Sequence, residues 1–158
     1  TDPWGKNVPG FGVGRDPERT PMQWDGSRNA GFTSGTPWLP VAPDYKEKNV
    51  ERETRDPNSM LSLYKELIRH RTNSPALLTG SYNPMESGNE NVFAFVRECA
   101  SEKLLIAINF SDAEQITNIS VSGEFLCDTL RSERGGEKIR SKKLKIDPYE
   151  GLIIKLGL

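Results

Sequence analysis

The placement of proline constrains this chain most. Seven of its 11 prolines precede residue 45: Pro3, Pro9, Pro17, Pro21, Pro37, Pro40 and Pro43. Each removes a backbone donor and locks φ, so a stretch this rich in proline builds neither a helix interior nor a central strand. The same stretch holds all 3 tryptophans, Trp4, Trp24 and Trp38, whereas disordered linkers are poor in aromatic residues. Residues 1 to about 50 are therefore expected to form one long functional loop. It should lie on a body of protein, with the tryptophans as anchors.

The pattern then changes twice. "DPNSMLSLYKELIRHRTNSP" predicts a helix at about 57–73. Asp56 or Asn58 is the candidate N-cap, Pro57 falls in the first turn, and Pro75 marks the stop. Met60, Leu61, Leu63, Tyr64, Leu67 and Ile68 share one side at helical spacing, which reads as core packing. From about residue 80 to 158 the chain reads as β. "NVFAFVREC" alternates Val92, Ala94 and Val96 against Phe93, Phe95 and Arg97. "KLLIAINF" is a continuous apolar run, as in a central strand. "QITNISVS" alternates again, and "EFLCDTLRS", "KKLKI" and "GLIIKLGL" follow, with "RGGEK" as a hairpin-like turn. Short strands at spacings of about 8 to 12 residues predict a small antiparallel sandwich.

Composition excludes several classes. The 21 basic and 22 acidic residues nearly cancel, so there is no basic stripe for nucleic acid. No apolar run spans a bilayer. The opening "TDPWGKN" lacks the regions of a signal peptide, and the expected location is cytoplasmic. Cys99 and Cys127 are too few for a disulfide framework and read as free, partly buried thiols. His70 is the only histidine. It is expected on the helix surface or in its last turn, and no metal or cofactor site is expected.

Chemistry is scarce. Asp112, Glu114, Asp128, Asp147 and Glu150 fall in turns or on expected solvent faces, with no pairing readable from sequence. "GFGVG", Gly10 to Gly14, lacks the strand, helix and lysine of a phosphate cradle. Asn109 and Asn118 sit in glycosylation-type triplets without secretory context. What remains is "GRDPERTPMQWD", Gly14 to Asp25. Arg15 and Arg19 each carry a planar fork suited to carboxylates and sugar hydroxyls. The bland alternative is structural: an arginine that caps loop carbonyls or pairs with Asp16, Glu18 or Asp25.

"GRDPERTPMQWD" with "NAGFT", "PWLPVAPDYKEKNV", "SMLSLYKELIRHR", "GSYNP", "VFAFVRE", "KLLIAINFS" and "PYEGLIIKL" resembles the alpha-glucosidase and oligo-1,6-glucosidase branch of the alpha-amylase superfamily (glycoside hydrolase family thirteen), bacterial type. The resemblance covers essentially the whole chain. It implies a mostly β fold: an antiparallel β-sandwich C-terminal domain, preceded by a long irregular loop and one helix left over from a TIM barrel. Residues 1–78 would be the end of the barrel and residues 79–158 the sandwich. The loop would then be one wall of a sugar pocket at the barrel's C-terminal face.

The resemblance further implies a C-terminal fragment of a retaining alpha-glucosidase. The nucleophile, the acid-base and the histidine–aspartate pair of such enzymes lie upstream, so no catalytic residue is expected here. Arg15 matches the arginine that contacts the terminal glucose, and Arg19 is a second candidate. Arg19 and Gln23 are expected rather to hold the loop's shape. The implied partners are an oligosaccharide or small alpha-glucoside and the rest of its own barrel, with no nucleic acid and no membrane. A non-catalytic, transporter-associated relative is the alternative, but such proteins tend to lose the arginines before "PMQW". A free-standing sugar-binding module would need exposed aromatics on the sandwich, and all tryptophans lie outside it.

Overall fold

The computed structural model of the chain describes Pro3, Asn7 and residues 14–157. Trp4 lies outside the described residues. The chain packs as two compact units, one ending at Leu61 and one beginning at Ser62.

From residue 14 to Asn49 the first unit is irregular, as its prolines require; the regular pieces in that range are 3-10 turns at Pro17–Arg19 and Arg28–Gly31. Pro21, Ala30 and Leu39 are buried, but Trp24 is 50% and Trp38 71% exposed. The two described tryptophans do not fill this unit's own interior, which Pro21, Ala30 and Leu39 occupy. A helix that the sequence reading missed closes the unit: α1, Val50–Arg55. Asn49 caps it, its Oδ1 accepting from the Arg52 amide at 2.9 Å. The Val50 and Glu51 amides, orphans at any helix start, donate to the Gln23 and Trp24 carbonyls at 3.0 Å each. An N-cap asparagine followed by Glu51 and Glu53 was the available signal.

The predicted helix appears as α2, Met60–Asn73, three residues late. Asp56 is used before it can act as a helix cap. Its Oδ1 accepts from the Asn58 amide at 2.9 Å and its carbonyl from Ser59 at 3.2 Å, so Pro57 sits in a turn. The Leu61 amide instead donates to Glu53 Oε2 at 3.0 Å. Pro75 ends α2 and also opens α3, Pro75–Thr79, whose cap is Ser74. Proline suits that first position because the missing donor would be unpaired there anyway. The apolar stripe of α2 is not core. Leu61, Leu63 and Leu67 are half-buried, while Met60, Tyr64 and Ile68 stand open.

Eight strands follow: β1 Ser81–Met85, β2 Val92–Cys99, β3 Glu102–Asn109, β4 Gln115–Ile116, β5 Val121–Asp128, β6 Lys138–Ser141, β7 Lys145–Ile146 and β8 Gly151–Leu156. Six form one antiparallel sheet in the order β1-β2-β3-β8-β5-β6, and β4 pairs with β7. Pro84 lies in β1, an edge strand, where a missing donor is tolerated. The continuous run predicted to be central is β3, third in the sheet and flanked by β2 and β8. Its Leu105 and Ala107 join Val92, Ala94, Val96, Leu152 and Ile154 on one face, under Ile119, Leu144 and Ile146. Its Leu104 and Ile106 enter the other face, with Ala76 of α3 and Phe95, Ile108 and Ile153. Both faces are thus covered, which is why β3 has no polar alternation.

"QITNISVS" is not one strand: Gln115 and Ile116 form β4, Val121 and Ser122 open β5, and residues 117–120 between them lie outside any ladder. Thr117 Oγ donates to the Leu144 carbonyl at 3.1 Å and accepts from the Ile119 amide at 3.1 Å. Such local side-chain bonds replace ladder bonds, yet Thr117, Ile119 and Val121 still point inward. "RGGEK" closes the β5–β6 hairpin, with Gly136 at φ 86°.

Candidate functional site

The singled-out segment begins at Gly14, where φ is 68°. Arg15 is exposed in a turn. Arg19 is exposed at the end of the 3-10 turn, its amide donating to the Asp16 carbonyl at 3.0 Å. Gln23 braces the loop from both ends: Nε2 donates to Asp44 Oδ1 at 3.2 Å, while its carbonyl caps α1. The Lys48 and Gln23 hydrogen bonds hold the Asp44 carboxyl below the usual carboxylate range. Gln23 is thus a structural brace, and both arginines reach the surface of the segment it shapes.

"NAGFT" supplies an irregular turn that no sequence pattern announced. Asn29, Ala30 and Gly31 take φ of 55°, 56° and 67° in succession. Left-handed backbone costs roughly 1–2 kcal/mol per residue with a Cβ, and strain of this kind collects at functional loops. It is held by Asn29 Nδ2, which donates to the Thr33 and Gly35 carbonyls at 3.0 and 2.7 Å. The buried Ala30 carbonyl accepts both the Trp24 and Asp25 amides at 2.9 and 3.2 Å. Gly31 suits its φ of 67°, and a Cβ there would stand 2.5 Å from Asp25 Oδ2, so that carboxyl would have to move. The Asp25 carboxyl is held low by the Ser27 hydroxyl and amide. The result is a charged loop, Gly14 to Gly35, held by its own hydrogen bonds.

The strand unit answers the remaining expectations. His70 lies in the last turn of α2, with Nε2 3.4 Å from Glu66 Oε1 and the side chain 11% exposed. Cys99 and Cys127 are both free; burial pushes the Cys127 thiol up to about 11. Asn109 is buried, and its Nδ2 donates to three carbonyls, so it cannot carry a glycan. Tyr82 and Phe93 are half-exposed beside Phe95, with ring centroids 5.1 and 5.4 Å apart. The sandwich therefore does expose aromatics, which counting tryptophans missed. Asp128 and Glu150, expected on solvent faces, are buried instead in an arginine cluster. They lie 22 residues apart in sequence, so no local spacing could have shown the pair.

Among the described residues, no group of three or more histidine, cysteine, aspartate or glutamate side chains is placed to hold a metal. None of their helices is long and apolar enough to cross a membrane.

Residues 5–80 match the family model described as the alpha amylase catalytic domain. Residues 92–153 match that of the alpha-amylase SusG C-terminal domain. The oligo-1,6-glucosidase of Bacillus cereus is 40% identical over 148 residues, covering 90% of this chain and 26% of the relative. That of Halalkalibacterium halodurans is 45% identical over 144 residues, covering 89% and 25%. The trehalulose synthase from Pseudomonas mesoacidophila MX-45 superposes with a TM-score of 0.77 at 37% identity, over 90% of this chain and 26% of that one. A mutant of that synthase, in complex with glucose, superposes at 0.78. The chain thus spans about a quarter of the length of these relatives. Matched in order by a catalytic-domain model and then a C-terminal-domain model, and by oligo-1,6-glucosidases along nine-tenths of its length, the chain belongs to the alpha-amylase superfamily, glycoside hydrolase family thirteen, as the C-terminal portion of an oligo-1,6-glucosidase-like protein.

Proposed function

We propose that this chain is the C-terminal part of a retaining alpha-glucosidase that removes terminal alpha-linked glucose from oligosaccharides. Residues 1–78 complete the barrel and residues 79–158 form the sandwich. The carrying observation is the braced loop: Arg15 and Arg19 stand exposed on a segment fixed by Gln23, Asp44 and α1. The relatives that share this segment are named for oligo-1,6-glucosidase activity, and a mutant of another relative was solved with glucose. Arg15 hydrogen-bonds the hydroxyls of the terminal glucose, and Arg19 supports it. Two free thiols suit a reducing, cytoplasmic setting.

Retaining hydrolysis needs two carboxyl groups about 5–5.5 Å apart across the scissile bond. In this proposal both come from the longer protein, so the 158-residue chain alone cleaves no chromogenic alpha-glucoside. A hybrid in which this chain replaces the matching quarter of the Bacillus cereus enzyme is the test. It should hydrolyse the substrate, and Arg15→Lys in it should lower kcat/KM at least about tenfold, since bonds to charged groups are worth about 1.5–3 kcal/mol. Arg15→Ala should fall further with little change in melting temperature. A folded but inactive hybrid sinks the enzyme reading. A hybrid whose Arg15→Ala variant keeps its kcat/KM but melts earlier makes Arg15 a loop brace only.

A further inference from the structure

The strand unit leaves one side of its sheet aromatic and only partly covered. Alternation along β1, β2 and β3 sends Tyr82, Phe93, Phe95 and Arg97 to the side opposite the sandwich interior. On that side Leu104 and Ile106 pack against Ala76 of α3. The Tyr82 and Phe93 rings lie 5.1 and 5.4 Å from that of Phe95, and both are about half exposed. So α3 closes the part over Leu104 and Ile106, while the aromatic part beside it stays open.

Arg97 sets the chemistry of the open part. It stands opposite Tyr82 of β1 and Leu104 of β3. Its Nη2 donates to the Gly80 carbonyl at 2.9 Å, but Nε is buried and has no acceptor. Buried donors without acceptors are rare in native structures, and a guanidinium presents its donors as a planar fork that a carboxylate fills two at a time. No described carboxylate pairs with Arg97. Glu98, next in sequence, pairs with Lys103 at 3.2 Å, and Glu102 accepts from Ser74 Oγ and from the Ala76 amide. The described residues give Arg97 an aromatic setting and one carbonyl, but no counter-ion.

The occupant follows from continuity along the chain. The match to the catalytic-domain model runs to residue 80 and so includes α3, whose Ala76 is seated on this side. The C-terminal-domain model takes residues 92–153, and the chain spans only 26% and 25% of the two oligo-1,6-glucosidases, so most of their catalytic domain lies upstream of the part matched here. We propose that the open aromatic side of the sheet is the docking face for catalytic-domain elements upstream of this chain, and that one of their carboxylates takes the Arg97 fork. This rests on reading the chain as the C-terminal part of a longer family-thirteen enzyme. Apolar side chains of the upstream elements cover Tyr82 and Phe93, and the ion pair, desolvated by those rings, fixes where the elements sit.

The test is a footprint. Hydroxyl-radical labelling of Tyr82 and Phe93, read by mass spectrometry, is compared between the 158-residue chain at low concentration and the Bacillus cereus hybrid. Both rings should label in the chain and several-fold less in the hybrid. Arg97→Gln keeps a donor for the Gly80 carbonyl and loses the charge. It should lower the melting temperature of the hybrid well beyond its effect on the chain alone. A second hybrid, built on the Halalkalibacterium halodurans enzyme, should behave the same way. Equal labelling in the chain and a folded hybrid overturns the docking face, and an equal loss from Arg97→Gln in both overturns the ion pair. Protection of the rings that grows with the concentration of the chain alone assigns the face to a second copy and overturns the proposal. If neither hybrid folds while the chain alone does, the face does not fit a barrel of this family and the proposal falls. The footprint reads no activity, so the two readings fail separately. A folded hybrid that protects both rings but hydrolyses nothing keeps this face and sinks the enzyme reading; one that hydrolyses substrate but labels as the chain does the reverse.

Discussion

Asn109, at the end of β3, joins three segments through one amide. Nδ2 donates to the Ala113, Ile146 and Asp147 carbonyls at 2.8, 3.3 and 2.8 Å, while Oδ1 accepts from the Ser111 amide and hydroxyl at 2.9 and 2.7 Å. Asparagine alone offers donors on one side and an acceptor on the other in this shape. Asn109→Asp would aim a carboxylate at three carbonyl oxygens in a site 1% exposed. An uncompensated buried charge costs about 3–5 kcal/mol. Asn109→Ala, which leaves unpaired carbonyls but no charge, should cost less, about 1–3 kcal/mol. The deficit of the aspartate variant should shrink in acid, because a protonated carboxyl again donates and its raised pKa makes stability fall as pH rises. Denaturant unfolding of both variants at two pH values checks this; an aspartate variant no worse than alanine at neutral pH refutes it.

Element boundaries here are set by who reaches a backbone amide first. Glu53 takes the Leu61 amide at the start of α2. Glu102 of β3 does the same for α3, accepting from Ser74 Oγ and from the Ala76 amide, the latter at 3.2 Å. A short helix of five residues is unstable alone, so its tether to β3 and the burial of Ala76 hold it in place. Within the sheet, the approach of β5 to β8 depends on Gly123, where a Cβ would lie 2.2 Å from the Lys155 carbonyl. Gly123→Ala should therefore cost about 1–3 kcal/mol. The strain lies between backbones and no side-chain rotation relieves it. Hydrogen exchange should show β5 and β8 opening earlier while β2 and β3 keep their relative protection. Equal loss across all strands would place the strain elsewhere.

At the scale of the molecule, the exposed stripe on α2 governs behaviour in solution. Met60, Tyr64 and Ile68 are 62%, 60% and 58% exposed, and their four-residue spacing puts them on one side of the helix. In the proposed full enzyme the rest of the barrel covers this face. For the chain alone, contiguous apolar surface favours association. Sedimentation should show a weight-average mass that rises with concentration, and the triple variant Met60→Glu, Tyr64→Glu, Ile68→Glu should return the monomer without loss of the sheet. A concentration-independent monomer from the unmodified chain excludes the stripe as an association surface.

The sequence by itself determined the class of each part, because class follows from local chemistry. Proline density excluded long helices and strands between residues 14 and 49, and the apolar run of β3 announced a central strand. The three- and four-residue spacing among Met60, Leu61, Leu63, Tyr64, Leu67 and Ile68 announced a helix, and the "RTPMQW" loop carried the family. Tertiary structure decided what depends on residues distant in the chain. Pro57 looked like a helix start, yet the Asp56 turn and the Glu53 carboxylate moved that start to Met60. Thr117 and Ile119 looked like strand, yet Leu144 drew them out of the ladder while leaving them buried. Asp128 and Glu150 looked solvated, yet they share a buried cluster closed by Arg131 and Arg134. Periodicity records which side of an element is apolar; it holds no record of which distant donor, acceptor or charge will arrive there, and that arrival sets caps, registers and protonation.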